Sequence, residues 1–145
     1  MVQETLLTES SEETRKWGES LGKRLFPGDV VALIGELGAG KTVLAQGILK
    51  GLGVTEPVQS PSFIMIREYN GHVPVVHIDL YRLRGSEDFE ALGFEEYLDG
   101  HNIVVIEWAD KILDILPNHC YQIHLSWGKD HPEQRVIKYQ EISVS

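Results

Sequence analysis

Residues 30–42 of the chain read VVALIGELGAGKT, and this stretch decides the fold. Its first five residues are apolar without polar alternation, which is typical of a strand buried on both faces of a parallel sheet. Residues 35–42 match the pattern GxxxxGK[ST], which belongs between such a strand and a helix. Apolar residues at helical spacing continue to about residue 52. The sequence therefore predicts a strand, a glycine-rich loop and a helix in succession.

The glycine-rich loop has the composition of a phosphate-binding site. Its glycines let successive backbone N–H groups point inward at a helix N-terminus, where the helix dipole adds partial positive charge. Lys41 would reach the β- and γ-phosphates of a nucleoside triphosphate, and the Thr42 hydroxyl would ligate its Mg²⁺. The alternative is a glycine-rich turn with a surface lysine, which the flanking strand and helix disfavour. The predicted nucleotide-binding residues are Glu36, Leu37, Gly38, Ala39, Gly40, Lys41 and Thr42.

Two carboxylates follow buried apolar runs elsewhere in the chain. Asp79 ends the run at residues 75–78, and Glu107 ends the run at residues 103–106. Because the carboxyl ends of parallel strands meet at one edge of a sheet, both side chains would emerge beside the loop. A phosphate loop needs such an acid to hold magnesium directly or through water, although a strand-end acid can also simply face solvent. We expect both carboxylates to lie close to the loop.

A short hydroxyl-rich segment, SPSF at residues 60–63, separates the predicted helix from the next strand. Nucleotide switch proteins place a hydroxyl-bearing loop at this point to sense the γ-phosphate. Ser60 and Ser62 are therefore candidate switch residues. The alternative is an ordinary turn, because a Ser-Pro pair commonly starts one.

The remaining pattern predicts an α/β fold of the P-loop NTPase type, with three layers and a mixed, mostly parallel sheet flanked by helices. Ser10 and Glu13 have the spacing of a capping box and predict a helix start, and Asn70-Gly71 predicts a hairpin turn. We expect one domain over residues 1–145. The other predicted strands cover residues 2–8, 63–69, 73–79, 103–107, 121–127 and 135–142, and short helices cover 86–98.

Composition limits the class of protein. Thirteen Lys and Arg residues against 22 Asp and Glu residues give a net charge of −9, which disfavours a broad nucleic-acid-binding surface. The apolar runs are too short to span a membrane, the first residues lack the basic region of a signal peptide, and Cys120 is the single cysteine. We expect a soluble cytoplasmic protein that makes no membrane contact.

Taken together, the motifs resemble the TsaE family, small bacterial ATPases of tRNA threonylcarbamoyladenosine synthesis. The resemblance extends from about residue 8 to residue 126. It implies an ATPase that acts with the partner proteins TsaB and TsaD, which modify the adenosine beside the tRNA anticodon, and that contacts tRNA weakly or not at all. The residues that carry it are GELGAGKT at 35–42, SPSF at 60–63, HIDLYRL at 77–83, GFEEY at 93–97 and EW at 107–108.

The resemblance also implies roles for individual residues. Lys41 corresponds to the phosphate-binding lysine, Thr42 and Glu107 correspond to the magnesium ligands, and Asp79 corresponds to the acid that orders a water molecule. Lys41, Asp79 and Glu107 are thus the candidate catalytic residues. The segment from Thr8 to Ser10 corresponds to part of the adenine site, and Ser62 stands where the family usually has threonine.

Two other functions fit the same loop. A small P-loop metabolite kinase would need an arginine-rich lid to exclude water, and Arg82 and Arg84 are the nearest approach to one. A nucleotide-binding module without hydrolysis would signal by binding alone. The joint presence of Lys41, Thr42, Asp79 and Glu107 favours hydrolysis over simple binding.

Overall fold

The strand that precedes the glycine-rich loop lies at the centre of a sheet. The protein is described by a computed structural model that covers residues 2–36, 38–57 and 66–143. Its strands are β1 (Val2–Thr8), β2 (Val30–Gly35), β3 (Ile66–Asn70), β4 (Pro74–Asp79), β5 (Ile103–Glu107), β6 (His119–Trp127) and β7 (Arg135–Ser143). Within the described residues these strands form one seven-stranded sheet in the order β1-β7-β6-β2-β5-β4-β3.

The sheet is mixed and mostly parallel, which confirms the predicted fold class. β2 runs parallel to both of its neighbours, β5 and β6, and β5 runs parallel to β4. β3 and β7 run antiparallel to their neighbours, so that β1, β2, β4, β5 and β6 all share one direction. The central position of β2 explains its unbroken apolar sequence, because both of its faces are covered.

Two apolar clusters cover the two faces of the sheet and make three layers. The helices α1 (Ser11–Gly22) and α2 (Lys41–Gly51) pack on one face against a cluster that includes Val31 and Leu33 of β2. The helix α3 (Ser86–Ala91) and the 3-10 helices Phe94–Tyr97 and Ala109–Ile115 pack on the opposite face, against a cluster that includes Val30 and Ala32. No helix among the described residues is both long and apolar enough to cross a bilayer.

Several element boundaries differ from the sequence expectation. The hairpin between β3 and β4 does not turn tightly at Asn70-Gly71, because β4 begins only at Pro74. Within this connection, the backbone N–H of His72 donates to the Leu52 carbonyl. Proline has no N–H to donate to the ladder, and it is therefore confined to positions such as the first residue of a strand. The 3-10 helix Ala109–Ile115 was not expected, and the predicted strand residues 63–65 lie outside the described part of the chain.

The start of α1 follows the predicted cap only in part. The Ser10 hydroxyl accepts the backbone N–H of Glu13 at 3.1 Å, as a capping box requires. The Glu13 carboxylate, however, accepts the backbone N–H of Glu9 at 3.1 Å, one residue earlier than the motif predicts. Glu12 and Glu13 lie in the first turn, where their negative charges interact favourably with the positive end of the helix dipole.

Glycines let α1 and α2 approach until their backbones touch. A Cβ atom built on Gly47 of α2 would lie 2.1 Å from the carbonyl oxygen of Arg15, and one on Gly22 of α1 would lie 2.2 Å from that of Ile48. Both separations are far shorter than any real carbon contact, so neither position accepts a side chain without backbone movement. This close packing fixes α2, which begins directly at the glycine-rich loop.

We predict that Gly47→Ala destabilises the protein by about 1–3 kcal/mol, because the added methyl group overpacks the contact with α1. In an open helix the same change would stabilise by about 1 kcal/mol, so the sign of the effect is informative. Gly85→Ala, at the N-cap of α3, controls for a methyl group added in open space, since its Cβ would meet only the Lys111 carbonyl oxygen at 3.9 Å. Urea denaturation of both variants measures the difference, and equal stabilities would contradict the close packing.

Candidate functional site

The loop between β2 and α2 is shaped by two left-handed glycines. Gly38 has a φ of 82° and Gly40 a φ of 98°, a region that residues with a Cβ rarely adopt. Gly40 is the N-cap of α2, and no side chain caps this helix end. The first-turn N–H groups of α2 therefore have no acceptors within the helix, and they lie at the positive end of the helix dipole. This backbone arrangement can bind an anion.

Lys41 is folded back onto the loop. Its Nζ donates hydrogen bonds to the carbonyl oxygens of Gly35 at 2.5 Å and Glu36 at 2.7 Å, and it lies 4.1 Å from the ring centroid of Trp108. Only 4% of Lys41 is exposed. Burial lowers the pKa of Lys41 below its usual 10.5, and the nearby carboxylates, Glu107 foremost, oppose this shift.

Asp79 and Glu107 end neighbouring parallel strands and face each other in register. Both side chains point to the α2 side of the sheet, because they alternate with the residues that face α3. The Thr42 hydroxyl donates to Glu107 Oε1 at 3.1 Å, and Asp79 Oδ1 accepts the backbone N–H of Tyr81 at 2.9 Å. The structure thus brings the loop hydroxyl and the two strand-end carboxylates to one place.

These groups line a cleft of about 500 Å³, a volume typical of small-molecule sites. Oxygen ligands suit Mg²⁺, and the adjacent Thr42 hydroxyl and Glu107 carboxylate supply them. Among the described residues no group of three or more His, Cys, Asp or Glu side chains could hold a metal alone. The cleft residues are Gly38, Gly40, Lys41, Thr42, Val43, Asp79, Tyr81, Arg82, Glu107, Trp108 and Arg135.

An aromatic pair closes the side of the cleft next to Lys41. Trp108 has a φ of 61°, a left-handed conformation that costs about 1–3 kcal/mol for a residue other than glycine. Its ring lies 5.2 Å from that of Tyr81. Lys111 donates to the carbonyl oxygens of Tyr81 at 2.5 Å and Leu83 at 2.7 Å, so it ties down the segment after Asp79. No individual role was predicted for Tyr81, Trp108 or Lys111 from the sequence.

Arg135, at the start of β7, is a site residue that the sequence did not indicate. Its Nε donates to the Ala39 carbonyl at 2.9 Å, and its guanidinium lies 4.4 Å from the ring centroid of Trp127. By binding this carbonyl, Arg135 ties the glycine-rich loop to the start of β7. No local pattern could have signalled a contact over a sequence separation of 96 residues.

The other predicted site residues do not line the cleft or lie outside the described chain. The buried hydroxyl groups of Thr8 and Thr14 are hydrogen-bonded to each other at 2.6 Å. The Ser10 hydroxyl caps α1. Their predicted contact with adenine stays a prediction. Glu36 is exposed and contributes its carbonyl oxygen to Lys41. Leu37, Ser60 and Ser62 fall outside the described residues.

Comparison with known proteins gives a consistent result. The sequence model of the family described as "Threonylcarbamoyl adenosine biosynthesis protein TsaE" matches residues 8–137. Two relatives carry the name "tRNA threonylcarbamoyladenosine biosynthesis protein TsaE". The one from Bacillus subtilis is 38% identical over 136 residues, which cover 93% of this chain and 84% of the relative. The one from Nostoc sp. is 41% identical over 139 residues, which cover 92% and 85%.

A solved structure shows the same fold. The crystal structure of Bacillus subtilis YdiB superimposes with a TM-score of 0.83 at 34% sequence identity. The match covers 98% of this chain and 87% of that chain, so it includes the sheet, its helices and the loop that carries the site.

We predict a pH-dependent stability cost from the buried Lys41. Because its pKa is lowered by burial, the folded state binds fewer protons than the unfolded chain between the lowered pKa and 10.5. Stability should therefore rise with pH through this window in the wild type, relative to Lys41→Met. Urea denaturation of both proteins at a series of pH values below 10.5 gives the difference. A difference independent of pH would show that burying the ammonium group carries no cost.

Proposed function

The chain belongs to the TsaE family, and on this basis we propose that it binds and hydrolyses ATP in support of threonylcarbamoyladenosine modification of tRNA beside the anticodon. In this proposal it acts on the TsaB–TsaD complex and does not perform the transfer itself. The observation that carries the proposal is the cluster of Lys41, Thr42, Asp79 and Glu107 around one cleft at the glycine-rich loop. The name shared by the relatives supports the tRNA pathway.

Each group in the cluster suits one task in phosphoryl chemistry. The first-turn N–H groups of α2 would bind the phosphate oxygens, and Lys41 would exchange its two carbonyl acceptors for the β- and γ-phosphates. Thr42 and Glu107 would hold Mg²⁺, whose charge, when it is bound, offsets that of the phosphates. Asp79 would orient a water molecule or accept its proton.

The charge of the chain bears on its partners. A net charge of −9 gives no broad surface for phosphate contacts, so we propose that the chain reaches tRNA through its partner proteins and not directly. The nucleotide is a different case, because the backbone amides and Lys41 bind its phosphates locally. We place the activity in the cytoplasm, together with the tRNA that is modified.

The first test of this function is hydrolysis. With ATP and Mg²⁺ we expect slow phosphate release by the protein alone and faster release with TsaB and TsaD, with no phosphorylated metabolite formed. Phosphoryl transfer to a small molecule would instead indicate a kinase, and binding without any release would indicate a non-hydrolysing module. Either result would overturn the proposal.

We predict that Asp79→Asn lowers the rate of phosphate release by about 100-fold or more, because the amide cannot accept a proton from water. Binding of ATP should stay within about threefold of the wild type, since Asp79 is not assigned to the phosphates. Glu87→Gln is the control: it removes one carboxylate from an exposed position of α3. Calorimetry and phosphate release separate the two effects. A full rate in Asp79→Asn would remove Asp79 from the mechanism.

We further predict that Thr42→Ala weakens ATP binding in the presence of Mg²⁺ by about tenfold, because it removes one metal ligand. Binding in the presence of a chelator should change little. Thr42→Ser keeps the hydroxyl and should retain the magnesium effect, and Thr55→Ala is a matched control at an exposed position beyond α2. Equal losses with and without Mg²⁺ would contradict the ligand role.

A further inference from the structure

His77 is a fully buried polar residue next to the proposed magnesium ligands. It lies in β4, two residues before Asp79, on the face of the sheet that carries α2. Its exposed fraction is 0%, and its Nε2 lies 2.7 Å from Glu107 Oε2. The proposed metal site uses Oε1 of Glu107 and leaves the contact at Oε2 without a role.

The surroundings of the imidazole indicate which nitrogen carries the proton. Nδ1 of His77 is buried and has no hydrogen-bond partner among the described residues. A proton on Nδ1 alone would bury an N–H without an acceptor and set the Nε2 lone pair against a carboxylate oxygen. With the proton on Nε2, the ring donates to Glu107, and only a lone pair is left without a partner. The geometry thus favours the Nε2–H tautomer.

The Glu107 carboxylate is consequently held at both of its oxygens. Nε2–H of His77 binds Oε2, and the hydroxyl of Thr42 binds Oε1. Rotation about the last side-chain bond of a glutamate is otherwise soft. The imidazole belongs to β4, which is paired on both sides, and it is fully buried, so it is a firm point of attachment.

We propose that His77 is a positioning residue, which fixes the Glu107 carboxylate so that Oε1 is presented to Thr42 and to the metal. The inference rests on the proposed function, because it assumes that Thr42 and Glu107 hold Mg²⁺. Hydrogen bonds to the far side of a metal ligand hold it in its binding orientation, and their loss typically weakens metal affinity 10- to 100-fold. The role needs only a donor at the position of Nε2.

Two amide substitutions separate this role from simple packing. In His77→Gln the side-chain nitrogen reaches about as far as Nε2 and can donate to Glu107, whereas in His77→Asn it is one bond too short. We expect His77→Asn to raise the Mg²⁺ concentration that gives half of the tightening of ATP binding by about tenfold or more. His77→Gln should stay within about threefold of the wild type. Calorimetry with ATP across a Mg²⁺ series provides this measurement, which does not depend on turnover.

Controls identify which assumption fails. Binding of ATP with a chelator should be the same in all three proteins, and urea denaturation establishes that each variant is folded. If the wild type shows no magnesium-dependent tightening of ATP binding, the proposed function is overturned. If the wild type shows this tightening and His77→Asn shows it equally, the positioning role alone is overturned. The same holds if both variants are folded and lose the tightening to the same extent.

A measurement on the unaltered protein covers the case in which His77→Asn does not fold. Nitrogen-15 NMR of the histidine side chains distinguishes the Nε2–H from the Nδ1–H tautomer, and His77→Gln identifies the signals of His77 by their disappearance. We expect the Nε2–H tautomer with its proton in a strong hydrogen bond. The Nδ1–H tautomer would leave Glu107 without this donor and would overturn the inference.

Discussion

The register of β2, β5 and β4 is the constraint on which the site depends. Leu33 of β2 lies opposite Glu107, and Glu107 lies opposite Asp79. Side chains alternate between the faces of a strand, so a slip of one residue in β5 would turn Glu107 away from Thr42 and toward α3. Both faces of β2 and β5 are apolar, so the fit of their side chains in the two cores, and not a polar–apolar alternation, specifies this register. Packing on both faces of the sheet is therefore what aims the carboxylates at the loop.

The cleft holds polar groups at a cost to stability. Lys41, His77, Asp79 and Glu107 are each at most 4% exposed, although such residues are seldom buried without partners. Each of them has a polar contact. The cost of burial is clearest for Lys41, because burial disfavours its charged form. A chain selected for stability alone would place apolar side chains here. The retained polar cluster is an argument for a ligand that these groups bind.

Features that are local in sequence could be predicted, and contacts between distant segments could not. The loop, the β2 run and the strand-end acids are short patterns in which each residue type has a direct physical meaning. The contacts of Arg135 with Ala39 and of His77 with Glu107 join side chains and backbone far apart in the sequence, and no local pattern indicates them. The expected hairpin is present, but its turn lies at residues 71–73, where the backbone of His72 contacts the Leu52 carbonyl, a partner that the local sequence does not indicate. Tertiary context decided each of these cases.

The place of β7 between β1 and β6 has a consequence for synthesis on the ribosome. β1 is translated first but pairs only with β7 among the described strands, and β7 is translated last of these strands. Until β7 is translated, β1 and β6 therefore lack the strand that joins them, and their free edges are open to pairing with other chains. Because β7 also brings Arg135 to the glycine-rich loop, the same event that covers these edges completes the shell around the loop. A nascent chain that stalls before β7 would lack both.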